Sequence, residues 1–224
     1  MTSCLILGGG INGLLSAFML RQAGLDVRVL DRAATGMESS WAGAGVLSLL
    51  LPWNYAPEVN ALAQCGRTLW RDWAARLQAA SGIDPEYLAC GMAALEVDQR
   101  EAALAWCALH DEPVAALPPA LAHLGNHAGI WLPNVAQVRN PRLMQALREA
   151  VLRAGIAIHE ETPATRLLTD GARVTGVETP SGTFAADTVV VAAGAWSGAL
   201  LITLFVLGMN ILARSIFHKS SMAE

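Results

Sequence analysis

Gly8-Gly9-Gly10-Ile11-Asn12-Gly13 follows directly on the apolar run Cys4-Leu5-Ile6-Leu7 and leads into an Ala/Leu-rich run from Leu14 to Ala23. That order predicts a buried strand, a tight glycine turn and a helix. Gly8 suits the turn off the strand. Gly10 lets a pyrophosphate approach the backbone where a Cβ would collide, and Gly13 lets the helix pack close to the sheet. Phosphates would then sit on the N–H groups and positive end of the helix. Gly-rich turns are common, so the flanks decide. Gly24 reads as a helix C-cap. A second strand follows from Leu25 to Leu30, and Asp31 ends it at the spacing expected of an acid that bonds an adenosine ribose. Strand, turn, helix and acid in register favour a dinucleotide site over a plain βαβ unit. Asp31 favours an unphosphorylated ribose, hence FAD or NAD over NADP. Arg32 reads as a solvated loop charge, the alternative being a partner for a 2′-phosphate.

The 224 residues suffice for one large domain or one and a half ordinary ones. Hydrophobic residues make up 54% and the mean hydropathy is +0.39, which alanine and one apolar tail explain. The net charge of −4 with no basic run argues against a nucleic-acid partner. Cys4, Cys65, Cys90 and Cys107 have no metal spacing and read as free thiols of a reducing cytoplasm. The N-terminus lacks the features of a signal peptide.

Further along, Ser39-Ser40-Trp41-Ala42-Gly43-Ala44-Gly45-Val46 and Leu51-Pro52-Trp53 are rich in small residues. Such a stretch suits backbone passing close to a flat or charged ligand, or an ordinary loop. Pro57 to Ser81 predicts a long helix with Val59, Leu62, Leu69, Trp73, Leu77 and Ala80 on its apolar face and Trp70 also in the core. Gly82 ends it. A strand is expected from Gly91 to Val97, a short helix from Gln99 to His110, loop from Pro113 to Asn126, and a strand at Ile130-Trp131-Leu132. His123 and His127 read as loop histidines, since Gly125 and Asn126 oppose a helix and no further ligand completes a metal set. Asn140-Pro141 caps and starts a helix with Leu143, Leu147 and Val151 facing inward, ended by Gly155. Strands follow at Ile156 to Glu160 and Pro163 to Leu168. Arg173 to Glu178 and Thr183 to Ala185 form a hairpin around Pro180-Ser181-Gly182. The β-branched strand Thr188 to Ala192 runs into a second glycine turn, Ala193-Gly194-Ala195-Trp196-Ser197-Gly198. This later block rebuilds a nucleotide-binding sheet from the far side, as a flavoprotein with two interleaved domains requires.

GGGINGLLSAFML, VRVLD, ESSWAGAGVLS, NPRLMQALREAVLRAGIAI, TPATRL and VVVAAGAWSG together resemble the FAD-dependent amino-acid oxidases of the D-amino-acid oxidase type. Within that family the likeness is greatest to the glycine oxidases of thiamine biosynthesis. Other flavin amine oxidases, such as the sarcosine oxidases, are similar in this half. The likeness covers about residues 1–199. The fold it implies is α/β: a Rossmann-like FAD-binding domain from residues 1–57 and 137–199, with residues 58–136 forming part of an interleaved α+β substrate domain. Residues 200–224 are an atypical apolar tail.

The resemblance implies that Gly8, Gly10, Ile11, Asn12 and Gly13 meet the pyrophosphate. Asp31 and Arg32 would take the ribose and adenine side. Ser39, Ser40, Ala44, Gly45 and Val46 would run along the pyrophosphate and flavin ring. Ala164 would meet adenine through its backbone, and Gly194 would lie near the cofactor at the second turn. It also implies the chemistry. The amino acid's Cα–H leaves as hydride to the flavin, the imine hydrolyses to an oxo acid and ammonia, and O2 reoxidises the flavin to give hydrogen peroxide. The protein's part is an arginine clamp on the substrate carboxylate and correct distance.

The family's carboxylate-binding arginine and its tyrosine partner lie beyond the matching stretch, so no catalytic residue is carried over. The apolar tail reads as the end of a truncated product, ahead of a membrane anchor or a covering helix. As a helix, residues 199–213 would span about 22 Å, short of a bilayer core of about 30 Å. Homo-oligomerisation stays open. Three functions compete: an amino-acid oxidase, a non-catalytic FAD-binding remnant, and an NAD-dependent dehydrogenase.

Overall fold

A computed structural model describes residues 1–48, 51–95, 97, 99–124 and 129–198. In chain order the elements are β1 (Ser3–Leu7), α1 (Ile11–Gln22), β2 (Asp26–Leu30), α2 (Ser39–Ala42), β3 (Val46–Leu47), α3 (Pro57–Ser81), β4 (Leu88–Ala89) and β5 (Met92–Ala94). There follow α4 (Arg100–Leu109), β6 (Ile130–Leu132), β7 (Ala136–Gln137), α5 (Asn140–Arg153), β8 (Ala157–His159), β9 (Arg166–Asp170), β10 (Arg173–Thr179), β11 (Gly182–Ala185) and β12 (Thr188–Val191). Two compact units result. One holds Met1–Ala42 and the described residues from Leu147 onward, the other Gly43–Ala146. The expectations for His127 and for the apolar tail fall outside the described residues.

In the first unit, β12, β1, β2 and β8 form a parallel sheet in that order. Cys4, Leu5, Ile6 and Leu7 of β1 are all buried, as a central strand covered on both faces requires. On one face Leu5, Leu7 and Leu30 pack with Leu167, Val177 and Ala186, brought by the antiparallel sheet β11-β10-β9 and its flank. The other face meets α1, whose buried residues are Gly13, Leu14, Ala17 and Phe18. Side-chain alternation along β1 explains the division: Ile6 turns towards Gly13, while Leu5 and Leu7 turn the other way. From β1 the chain crosses through α1 to β2 on one side, while β12 joins on the other. The point where the strand order reverses therefore lies between β1 and β12, and a crevice opens there at the carboxyl ends of the strands.

The second unit contains the antiparallel sheet β3-β7-β4, the pair β5-β6, and α3 and α4. Its core gathers Val97, Ala103, Cys107, Ile130, Leu132 and Val135, with Trp53 and Trp106 packed against it. Arg67 of α3 meets Glu112 in a two-pronged ion pair, both contacts at 2.8 Å, with side chains only 14% and 8% exposed. A pair this buried fixes how α3 lies against the segment after α4, because removing either partner strands the other charge.

The boundaries of α3 coincide with the sequence expectation, and Gly82 closes it in a left-handed conformation with φ +74. Its burial does not follow the expected stripe. Leu77 is buried, with Ala74 and Ser81 beside it, whereas Val59, Leu62 and Leu69 are 51%, 77% and 54% exposed. Trp70 and Trp73 are half-buried rather than core. Helical periodicity marks a face able to be covered, and among the described residues the fully buried positions of α3, Ala74, Leu77 and Ser81, all lie in its last turns. The strand expected from Pro163 starts instead at Arg166. Pro163 has no N–H for the ladder, and the first bond from this segment to β10 is Thr165 N–H to the Glu178 carbonyl at 2.9 Å.

Candidate functional site

The first unit's crevice is a cleft of about 910 Å³ between the turn after β1 and the turn after β12, rimmed by the segments following β2 and β8. Gly8 leaves β1 with φ +112, a value that L side chains avoid. Its N–H donates to the Leu30 carbonyl at 2.8 Å, and a Cβ there would strike the Ala192 carbonyl. Gly8 thus lets the two turns close on each other. Gly13 does its work beneath the cleft, where a Cβ would overlap the Gly8 carbonyl oxygen. At Gly10 a Cβ would meet only the Ser40 hydroxyl, at 3.0 Å, and the residue lines the cleft.

The N-terminus of α1 therefore opens into the cleft. No acid stands in its first turn to cancel the positive end of the helix. Ser40 of α2 reaches over it, its hydroxyl oxygen accepting the Ile11 N–H at 3.0 Å. Asp31 binds the glycine turn from the side. One carboxylate oxygen accepts the Gly9 N–H at 2.6 Å, and the other accepts the Ala33 N–H at 3.0 Å. Asp31 lines the cleft as well, so one carboxylate both fixes the glycine turn and reaches the cleft. Gly9 is as confined as its neighbours: a Cβ there would lie 2.8 Å from both Asp31 Oδ2 and Thr35 Cγ2. Three consecutive glycines were the sequence signal for that constraint.

Arg32 is neither a simple solvated charge nor a free cation. Glu38 accepts its Nε–H at 3.1 Å and pairs with its terminal nitrogen, and the guanidinium stacks 4.1 Å from the centre of the Trp196 ring. That contact links the segment after β2 to the turn after β12 at the cleft mouth. Nothing local marked Trp196 or Glu38 as partners. Glu160, just past β8, accepts the Thr35 N–H at 2.9 Å. This bond and the nearby Arg148 guanidinium hold its carboxyl below the usual carboxylate range.

Of the residues singled out from sequence, Gly8, Gly10, Ile11, Asn12, Asp31, Arg32, Ser39, Ser40, Ala164 and Gly194 line this one cleft. Gly13 underlies it. Ala44, Gly45 and Val46 belong to the second unit. There Gly45, at φ +74, sits so close to β7 that a Cβ would overlap the Val138 carbonyl oxygen, and its own carbonyl accepts the Val138 N–H at 2.9 Å. Val46 pairs with Gln137, and Ala44 lines a shallower hollow with Tyr87 and Arg139. Among the described residues no cluster of His, Cys, Asp and Glu could hold a metal, and no helix is long and apolar enough to cross a membrane.

The family model described as FAD dependent oxidoreductase matches residues 3–217. A glycine oxidase of Pseudomonas putida is 42% identical over 208 residues, covering 89% of this chain and 57% of the relative. A bifunctional ThiO/ThiG protein of Synechocystis is 32% identical over 88% of this chain and 30% of its own length. The crystal structure of a glycine oxidase from Geobacillus kaustophilus superposes with a TM-score of 0.82 at 27% identity, covering 91% of this chain and 59% of that one. The chain thus spans little more than half the length of the glycine oxidases it matches.

Proposed function

The chain belongs to the FAD-dependent oxidoreductase family, and we propose that its first unit holds FAD for the oxidative deamination of glycine or another small amino acid. The observation that carries the reading is the crevice at the strand-order reversal, where the N-terminus of α1, the Gly8–Gly10 cradle and Asp31 converge. The residues present fit the cofactor. Gly10, Ile11 and Asn12 would border the pyrophosphate, with Ser39 alongside and Ser40 holding the Ile11 N–H. Asp31 would accept a ribose hydroxyl, and Ala164 would border the adenine. Ala44, Gly45 and Val46 are assigned to the flavin ring on the family resemblance. Bound flavin supplies the two-electron acceptor for the reaction.

The proposed products are an oxo acid, ammonia and hydrogen peroxide, with O2 as terminal acceptor, in the formation of the thiamine thiazole. Residues 1–57 and 137–199 are assigned to the FAD-binding domain and residues 58–136 to part of the substrate domain. The exposed free thiols of Cys65 and Cys90 support a reducing cytoplasm. A second reading is cofactor binding without turnover: the chain spans 57% of the matched Pseudomonas putida glycine oxidase, and no residue in it is assigned to the substrate carboxylate.

The test is the visible spectrum of the purified chain after incubation with FAD and desalting. Retained flavin absorption supports the site, and release of peroxide on adding glycine or D-alanine then separates oxidase from non-catalytic binder. A folded chain that retains no flavin overturns the reading. Retention of NAD in place of FAD would point to a dehydrogenase.

A further inference from the structure

We propose that Glu160 is a positioning residue for the adenosine side of the cleft, acting through Thr35 on the glycine turn; this rests on the reading of that cleft as an FAD site. Glu160 lies one residue beyond β8, the sheet's edge strand, whose last pair with β2 is His159 opposite Leu30. Its Oε1 accepts the Thr35 N–H at 2.9 Å, and its Oε2 stands 3.6 Å from Arg148 of α5. Thr35 is only 8% exposed, and its Cγ2 lies where a Cβ on Gly9 would collide. The loop after β2 is therefore clamped at two points. Asp31 holds Ala33 at its start, and Glu160 holds Thr35 two residues on.

Beyond Thr35 the chain forms the wall of the cleft. Gly36, Met37 and Glu38 line it, and Glu38 carries the bond that holds Arg32. Removing the Glu160 carboxylate takes the acceptor from a half-buried N–H on a buried residue, and the loop then moves to find water in its place. Movement there withdraws Thr35 from Gly9, so the turn meant for the pyrophosphate loses support from the same side as Asp31. Glu160 does not line the cleft itself, which separates it from the residues assigned to cofactor contact.

The test compares the full chain with Glu160→Ala, Glu160→Gln and Glu160→Asp. Two readouts are used: the FAD dissociation constant from flavin fluorescence, and amide hydrogen exchange in peptides covering the glycine turn and the loop after β2. E160A is expected to weaken FAD by about two- to tenfold, the range for the net loss of one half-buried hydrogen bond, and to speed exchange in both peptides. E160Q keeps an acceptor oxygen at the same reach and should recover most of the affinity. E160D keeps the charge but falls short of Thr35 by one methylene, so it should resemble E160A; it also serves if E160A does not fold. Wild-type affinity in both E160A and E160D, or unchanged exchange in those peptides, overturns the proposal. If the unaltered chain holds no FAD, the functional reading fails. The exchange measurement still decides whether Glu160 positions the turn.

Discussion

Gly13 and Gly66 each lie inside a helix, and adding one methyl group to each should change stability in opposite directions. At Gly66 of α3 a Cβ would meet nothing within 4 Å. G66A therefore removes backbone freedom from the unfolded chain and should stabilise by about 0.5–1 kcal/mol. At Gly13 of α1 the same Cβ would overlap the Gly8 carbonyl oxygen and stand 2.9 Å from its carbonyl carbon. Gly8 cannot yield. Its N–H is bonded to Leu30, and its other side abuts the Ala192 carbonyl. The helix must move off the sheet, and overpacking of that kind costs about 1–3 kcal/mol. With the propensity gain set against the upper half of that range, G13A should lose about 1–2 kcal/mol. For a chain of this size that is a fall of about 2–8 °C in Tm. The displacement also moves the Ile11 and Asn12 backbone, proposed above to border the pyrophosphate, so FAD retention should fall with it. Paired thermal and urea unfolding of G13A, G66A and the unaltered chain gives the answer. A G13A midpoint at or above wild type, with flavin retained, would refute the close packing of α1 on β1.

Two further expectations concern ionisable groups. Asp187 accepts the Ser3 N–H and hydroxyl, each at 2.8 Å, tying the start of β12 to the start of β1. The N–H bond first, then the hydroxyl, with Arg173 and the chain N-terminus adding, hold its carboxyl below the ordinary value of 3.8. A depressed carboxyl contributes stability above its unfolded pKa and loses it as pH falls through the folded value. D187N should thus flatten the acid limb of the stability curve between about pH 5 and 2, and parallel limbs in variant and wild type would contradict the linkage. Among the thiols, Cys65 and Cys90 are exposed, while Cys4 and Cys107 are buried and burial raises their pKa, with Glu112 adding at Cys107. Ellman's reagent should titrate Cys65 and Cys90 rapidly in the native protein and the other pair only after unfolding. Rapid reaction of all four in the folded state would contradict the packing around β1 and α4.

The first 31 residues were legible because every signal in them is local. An apolar run, three glycines, an Ala/Leu-rich run and an acid follow one another within one βαβ unit, and backbone geometry alone fixes their relation. The termini of α3 and the helix over α5 were readable for the same reason, since proline starts and glycine ends depend on dihedral angles that a residue carries with it. The inward positions Leu143, Leu147 and Val151 are buried as their spacing requires. Periodicity failed on α3, because a 3.6-residue repeat states which face can be covered and not whether anything covers it.

The cleft's finish was decided by tertiary structure. Ser40 reaches Ile11 across 29 positions, Glu160 reaches Thr35 across 125, and Asp187 reaches Ser3 across 184. Trp196 finds Arg32 because β12 inserts beside β1. None of these pairs has a sequence spacing to betray it, since the distance between partners is set by the strand order β12-β1-β2-β8. The sequence by itself determined a nucleotide-binding strand, turn and helix. Which side chains close around that turn followed only once parallel pairing had drawn the two ends of the described chain together.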